Sequence, residues 1–256
     1  MEELLVYLAV HYKGHYRQIF EALQRKERPD PMTMRSTLDR LHMQWTTLVS
    51  DDYPACLKQI PHPPFVLFYY GNWELVKEPM LAMVGMRKPT DYGRRMAYAF
   101  AHDLSDRFVI VSGMAKGIDT CAHQGAGLDR TIAVLGCGID YCYPACNRAL
   151  YERLKVDGLI MSEYPLDLAP RKHYFPWRNR LVAGLGQALV VVQAKAKSGT
   201  MTTVGHALDQ GKSVYALPCR IGDPEGTLQL IRDGAILLDD PKRLEEELTF
   251  EIQKIK

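Results

Sequence analysis

Ten consecutive residues, RKHYFPWRNR from Arg171 to Arg180, carry four fixed cations, one histidine and three aromatic rings, and no acid. The whole chain is only +2 over 256 residues, so this is a local concentration of charge. Ammonium and guanidinium groups hold phosphates, and aromatic faces stack on unpaired bases. The two chemistries together suit a single nucleic-acid strand. The same residues also fit a loop whose rings pack inward and whose arginines are solvated. The small net charge argues against a surface that coats nucleic acid everywhere and permits one basic pocket.

Other residues in the chain offer other chemistries. Gly136 and Gly138 fit the first two glycines of a dinucleotide-binding GxGxxG, but Tyr141 stands at the third, where a glycine lets helix and strand pack closely. Glu163, at the end of the next strand, retains the position of a ribose ligand, so the NAD reading is weakened and stays open. Residues 205–213 resemble a P-loop with one residue too many, running from helix into strand, the wrong order for a phosphate cradle. Gly211 there reads as a left-handed helix C-terminal residue. His123 has Asp119 four residues before it as an orienting partner, although a capping Asp and a backbone-bonded histidine explain the pair as well. The chain has no GxSxG elbow and no HExxH. The six cysteines, Cys56, Cys121, Cys137, Cys142, Cys146 and Cys219, include no CxxC. Free thiols in a reducing compartment are the expectation, ahead of a metal held by Cys142, Cys146 and His123. No metal and no cofactor are expected.

These groups need elements to position them. Residues 1–50 read as a small helical module, with Leu4, Leu5 and Leu8, then Ile19, Phe20 and Leu23, at three- and four-residue spacing. Pro29 and Pro31 break the pattern before a further helical stretch at 33–42. Residues 51–64 are rich in proline and turn formers, and 64–72 give a short strand. From 81 onward, short apolar runs at 81–84, 108–111, 131–135, 159–161, 188–193, 214–217 and 236–238 alternate with amphipathic stretches at 91–105, 118–127, 147–156 and 201–210. That alternation predicts an α/β domain over 51–256, Rossmann-like and doubly wound, with a mostly parallel sheet covered on both faces. No apolar run is long enough to span a bilayer, and Glu2 and Glu3 do not suit a signal peptide, so the expectation is a cytoplasmic protein.

In such sheets ligands bind beyond the carboxyl ends of the strands. The segments that leave those ends are Gly85-Met86-Arg87-Lys88, Ser112 through Asp119, Gly136 through Asp140, Ser162 through Pro165, and a basic stretch ending in Ser198-Gly199-Thr200. Glycine, hydroxyl and cation recur there, the groups that wrap an anion.

Seven motifs now stand in one order: VGMRKPTDYG from Val84, SGMAKGIDTCAH from Ser112, GCGIDYCYPACN from Gly136, SEYP from Ser162, FPWRNRLVAGLG from Phe175, SGTMTT from Ser198 and GTLQLIRDGA from Gly226. Together they resemble the DprA/Smf family of DNA-processing proteins, over roughly residues 51–238. The resemblance implies an extended Rossmann-like domain without redox chemistry or accepted catalytic activity. It implies binding of incoming single-stranded DNA in a basic pocket at the strand ends, loading of the RecA recombinase during natural transformation, and a homodimer. The family's anion-pocket arginine maps to Arg87, its loop glycines to Gly113 and Gly117, and its RNR pair to Arg178 and Arg180. With the strand exits, the expected DNA contacts are Gly85, Arg87 and Lys88; Ser112, Gly113, Ala115, Lys116 and Gly117; Asn147 and Arg148; Phe175, Arg178, Asn179 and Arg180; and Ser198, Gly199 and Thr200. The alternative is a nucleotide-binding enzyme, a hydrolase or an NAD-dependent one, on the same scaffold.

The chain departs from the family pattern at Met86 for serine, Gln193 for glutamate, Gly186 for serine and Cys219 for glycine. Ala145 and Cys146 stand where some relatives carry a DNA-binding lysine, with Arg148 as the nearby substitute. Many relatives add a C-terminal winged-helix module, for which this chain is expected to have no room. Near its end, Leu228, Leu230, Ile231, Ile236, Leu237 and Leu238 crowd into eleven residues. A buried strand accounts for residues 236–238, and a short helix buries only one face. The rest of that apolar surface, with Leu228, Leu230, Ile231, Ile236 and Leu237 as candidates, predicts a twofold interface.

Overall fold

Short runs of branched and small apolar residues make nine strands, and these form one sheet. The computed structural model describes the backbone of residues 1–255 and the side-chain surroundings of residues 1–248. Lys256, the last residue of the expected α/β domain, lies outside the described residues. In chain order, α1 (Glu2–His11), α2 (Tyr16–Gln24) and α3 (Pro31–Leu38) precede β1 (Gln44–Thr47). Next come α4 (Ala55–Lys58), β2 (Val66–Gly71), β3 (Met80–Val84), α5 (Asp91–Leu104), β4 (Val109–Ser112), α6 (Ile118–Ala126) and β5 (Thr131–Val134). Then follow α7 (Arg148–Asp157), β6 (Leu159–Ser162), α8 (Tyr174–Leu185), β7 (Leu189–Val191) and α9 (Gly199–Asp209). The chain closes with β8 (Val214–Ala216), α10 (Gly226–Arg232), β9 (Ile236–Leu237) and α11 (Pro241–Ile255).

The strand order is β1-β2-β6-β5-β4-β3-β7-β8-β9. The strands from β6 to β9 in that order pair in parallel, while β2 joins β6, and β1 joins β2, antiparallel. The α/β class and the mostly parallel sheet are as the sequence predicts. The chain runs outward from β3 through β4 and β5 to β6, then returns to place β7 on the other side of β3. Crossovers on either side of β3 therefore diverge, and a crevice opens between the ends of β3 and β7.

The central strands are buried throughout and mostly apolar because both sheet faces are covered; the hydroxyls of Ser112, Thr131 and Ser162 at their ends donate to backbone carbonyls. On one face α8, α9 and α4 pack on a core that includes Leu181, Val204 and Leu57. On the other, α5, α6 and α11 cover Leu81, Ile110 and Val190. The N-terminal segment is helical as expected up to Leu38, but it then supplies β1, whose Gln44 to Thr47 pair with Tyr69 to Val66. Its α1 buries Leu5 through Ala9 in a core shared with Phe68, Leu135 and Ile160. The helix expected at 33–42 runs instead from Pro31 to Leu38, with Asp30 capping it by accepting from the Thr33 N–H at 2.9 Å. Among the described residues no helix is long and apolar enough to cross a membrane.

Helices α5 and α6 approach closely, and the closeness needs Gly125. A Cβ there would lie 2.2 Å from the Tyr98 carbonyl oxygen, which is backbone and cannot swing away. Gly125→Ala is expected to destabilise the fold by about 1–3 kcal/mol through overpacking. Thermal unfolding should show a midpoint several degrees lower; an unchanged midpoint would mean that the two helices separate at no cost.

Candidate nucleic-acid interface

The basic run from Arg171 to Arg180 lies largely on a helix. Residues Arg171 to His173 lead into α8, and Pro176 sits in its first turn, where the missing N–H costs nothing. Arg178 and Arg180, expected in loops, are thus helical and buried, at 4% and 2% exposure. The two have different partners. The Arg178 Nη1 donates to the carbonyls of Gly113, at 2.8 Å, and of Val134. Its Nε donates to the Asn179 side chain, and its Nη2 has no hydrogen-bond partner among the described residues. Arg180 donates from all five of its N–H positions. Two go to the oxygens of Glu163 at 2.9 and 2.7 Å, two to the His62 carbonyl and one to the Trp177 carbonyl. A guanidinium has five donors, so Arg180 has none left for a phosphate. It pins α8 to the end of β6.

Between the ends of β3 and β7 lies a cleft of ≈ 990 Å³. Of the expected contacts it gathers Gly85, Arg87 and Lys88 from the β3 exit, Gly113 and Ala115 from the β4 exit, and Phe175, Arg178 and Asn179 from α8. Ser198, Gly199 and Thr200 complete the wall at the start of α9. The first-turn N–H groups of α9 have no side-chain cap, since the Ser198 hydroxyl donates to the Lys195 carbonyl instead. An uncapped helix start on a cleft wall suits an anion. Phe175 is half-buried, with the Arg87 guanidinium 5.5 Å from its ring centre. Tyr174 is instead packed in, stacked on Tyr164 at 4.2 Å.

Six expected contacts do not line the cleft. Arg180 is one. Ser112 is fully buried and donates to the Met83 carbonyl at 2.7 Å. Asn147 is buried, its amide shared between the Met114 carbonyl and the Thr120 hydroxyl. Arg148 is exposed and faces Glu152 on its own helix. Lys116 is exposed and does not line the cleft. Gly117 has φ +84, and a Cβ would lie 2.6 Å from the Met86 carbonyl, so this glycine lets the β3 exit cross the start of α6. Gly113 is also a matter of room: a Cβ there would meet the Arg178 guanidinium at 2.5 Å.

Sequence reasoning missed Lys172, Lys195, Tyr143 and Thr203 among the lining residues. Both lysines sat in stretches noted as basic. Arg87, Lys88, Lys172 and Lys195 have no carboxylate partner among the described residues. Among the described residues the single lining carboxylate is Asp119, which is buried and accepts from the Ala115 N–H at 3.2 Å. Burial pushes its pKa up to about 6, against Arg178, the Ala115 and Gly113 N–H groups and Arg87, which pull it down.

Alternative chemistries lose their groups. His123 is turned away from Asp119: its Nδ1 lies 2.7 Å from the Thr131 hydroxyl, which itself donates to the Ile110 carbonyl. Burial, then Arg178, pushes its pKa down to about 3, so the ring is neutral. Glu163 is buried in its two-point pair with Arg180 and is not presented to a ribose. After Gly138 the next α-helix begins only at Arg148, so no helix N-terminus follows the glycine pair. Gly136 instead makes room for the Phe175 ring, 2.8 Å from where its Cβ would be. At Gln193, the departure from the family pattern, the side-chain Oε1 accepts from the Thr90 N–H and Nε2 donates to the Thr90 hydroxyl, both at 2.9 Å, fixing the start of α5.

The chain as a whole is similar to several known proteins. Residues 44–249 match the family model for DNA recombination-mediator protein A. The chain is 39% identical over 208 residues to DNA processing protein DprA of Streptococcus pneumoniae, covering 80% of this chain and 74% of that one. It is 40% identical over 209 residues to protein Smf of Escherichia coli, covering 78% of this chain and 55% of that one. The crystal structure of DprA from S. pneumoniae superposes with a TM-score of 0.83 at 31% identity, over 96% of this chain and 98% of that one. DNA processing protein A from Helicobacter pylori, whose structure addresses its single-stranded DNA binding mode, gives 0.75 at 33% identity, over 82% and 98%.

Because Asp119 is easier to protonate in the folded chain, its contribution to stability is full below the ordinary value of 3.8 and is lost as pH rises through about 6. Asp119→Asn should therefore gain on the wild type by about 2–3 kcal/mol between pH 4 and pH 7. Denaturant titrations across that range check it; a constant difference would place the carboxyl in water.

Proposed function

The chain belongs to the DNA recombination-mediator protein A family, called DprA/Smf, and from that premise we propose that it binds single-stranded DNA in the cleft between β3 and β7. In this reading it passes the strand to a RecA-type recombinase during natural transformation, acting in the cytoplasm as a homodimer without catalysis. The observation that carries it is the convergence of Arg87, Lys88, Lys172 and Lys195, all without a carboxylate partner among the described residues, around the half-buried ring of Phe175. Cations with no partner favour a polyanion, and one accessible ring favours a strand whose bases are unpaired. The relative from H. pylori supports the strand type.

The division of labour differs from that expected for the RNR pair. Arg87, Lys172 and Lys195 meet phosphate, Arg178 offers its remaining Nη2 from the cleft floor, and Arg180 is structural. Each phosphate contact removed should lower the salt slope of single-strand binding by about 0.7. Arg87→Ala, Lys172→Ala and Lys195→Ala should each show this with unchanged folding. Arg180→Ala leaves Glu163 buried without its partner and should cost about 3–5 kcal/mol of stability. If the triple Arg87, Lys172 and Lys195 variant keeps the wild-type slope, the strand lies elsewhere. Equal affinity for single- and double-stranded DNA at matched salt would count against stacking on Phe175. A nucleotide titration run beside the oligonucleotide titration separates this reading from an enzyme on the same scaffold.

For self-association, β9 is the edge of the sheet, and α10 precedes it. Leu230 packs inward on the β3–β7 core and Ile236 on the opposite one. That leaves Leu228 and Ile231, both half-buried, and Leu237, at 37% exposure, as the outward candidates. A twofold contact through this patch feels each substitution twice. Ile231→Glu should give a folded monomer with weaker cooperative DNA binding. Sedimentation that finds the wild type monomeric at micromolar concentration, or the variant still dimeric, would refute this interface.

A further inference from the structure

The first turns of α8 face two cavities. Lys172, Phe175 and Asn179 line the cleft, while His173, Tyr174 and Trp177 line a second cavity of ≈ 590 Å³ between α8 and α2. Its far wall is the start of α2. There the Tyr16 and Phe20 rings lie nearly parallel, 8° apart, with centroids separated by 6.3 Å. The Tyr16 ring comes within 6.1 Å of Trp177, centroid to centroid. Gly14 permits this closeness, since a Cβ there would lie 2.5 Å from the Glu163 carbonyl and 2.9 Å from the Tyr164 ring.

The cavity is open to solvent yet walled mostly by rings, with Phe20 left 43% exposed. Aromatic surface left in water around a concavity is unfavourable unless something fills it. The volume lies in the range of small planar-ligand sites. Among the described residues no carboxylate lines it; its basic members are Arg17, which is paired with Glu21 at 2.9 Å, and His15, His62 and His173. Arg171, just outside, sits over the Tyr174 ring at 5.9 Å. The first turn of α8 also carries no acid to offset the helix dipole, although three basic residues, Arg171, Lys172 and His173, precede it. A ligand that suits both features is planar, aromatic and joined to an anionic backbone.

We infer that this second cavity takes a base of the same single strand whose phosphates occupy the cleft, the backbone passing over the start of α8 between them. The inference rests on the strand-binding reading above and extends it to the N-terminal helices. One helix separates the two sites, a width of about 10–12 Å, which a single strand crosses within a few nucleotides. Stacking on aromatic side chains accepts every base, so the cavity adds affinity and strand length without sequence choice.

Oligothymidylates of increasing length, and strands carrying 2-aminopurine at successive positions, test this on the full chain. The wild type should show a step in affinity once the strand reaches past the cleft, and quenching of 2-aminopurine at a base outside the cleft. Phe20→Ala and His173→Ala alter exposed side chains and should leave folding and short-strand affinity unchanged. They should remove the affinity step, roughly a 5- to 100-fold loss for long strands, and relieve the quenching. If Arg87→Ala weakens binding but both cavity variants bind long strands like the wild type, the cavity does not hold a base. Phe20→Ala changing only self-association would overturn the inference in favour of a second copy as occupant. Absence of any single-strand binding by the wild type would instead refute the cleft reading itself.

Discussion

Two guanidinium groups buried in the first turns of α8 hold the functional face together. Arg178 ties the helix to the ends of β4 and β5 through the Gly113 and Val134 carbonyls. Arg180 ties it to the end of β6 through Glu163 and to the segment before β2 through the His62 carbonyl. A buried charge is costly when its donors go unanswered, and a broken pair costs more than an intact one contributes. Arg180 has all five donors answered, and Arg178 all but Nη2, which is left toward the cleft. The consequence is a helix whose position above the strand ends admits little adjustment. Everything its early residues present, to the cleft on one side and to the aromatic cavity on the other, inherits that rigidity.

The cleft uses the fold's own asymmetry. Crossovers that diverge at β3 leave its end and that of β7 without a helix over them, and the uncapped start of α9 faces the gap. The cations that surround the gap repel one another in the free protein. A polyanion in the gap would relieve that repulsion and release counterions. Asp119 looks out of place among them, yet its contacts explain it. It fixes the Ala115 N–H and offsets the buried Arg178, at the cost of a carboxyl that burial makes reluctant to ionise.

The N-terminal helices are more than an appendage to this face. Helix α1 contributes Leu5 through Ala9 to a core that also holds the sheet residues Phe68 and Ile160, and β1 extends the sheet itself. Tyr16 stacks on Phe65 at 5.0 Å, and its ring also meets His62, the residue whose carbonyl receives Arg180. The segment is therefore coupled by packing to the same helix that lines the cleft.

The alternation of apolar runs with amphipathic stretches determined the class of fold, and the glycines, hydroxyls and cations at the strand exits pointed to the edge of the sheet where the cleft lies. Both are local properties: a buried parallel strand must be apolar, and an anion site needs bare backbone and charge. Eleven of the seventeen expected contacts line one cleft, eight of them from those strand exits and three, Phe175, Arg178 and Asn179, from α8. Helix α8 was not legible, because it is buried on nearly every side and so shows no amphipathic period, and because Pro176 and the aromatic-basic run imitate a loop. Nor could the sequence sort identical chemistry by role. Arg87 and Arg180 are the same residue type in motifs of the same kind. Only the tertiary structure sets Glu163 and two carbonyl groups around one of them and water around the other, and those neighbours decide which guanidinium has a donor left to offer.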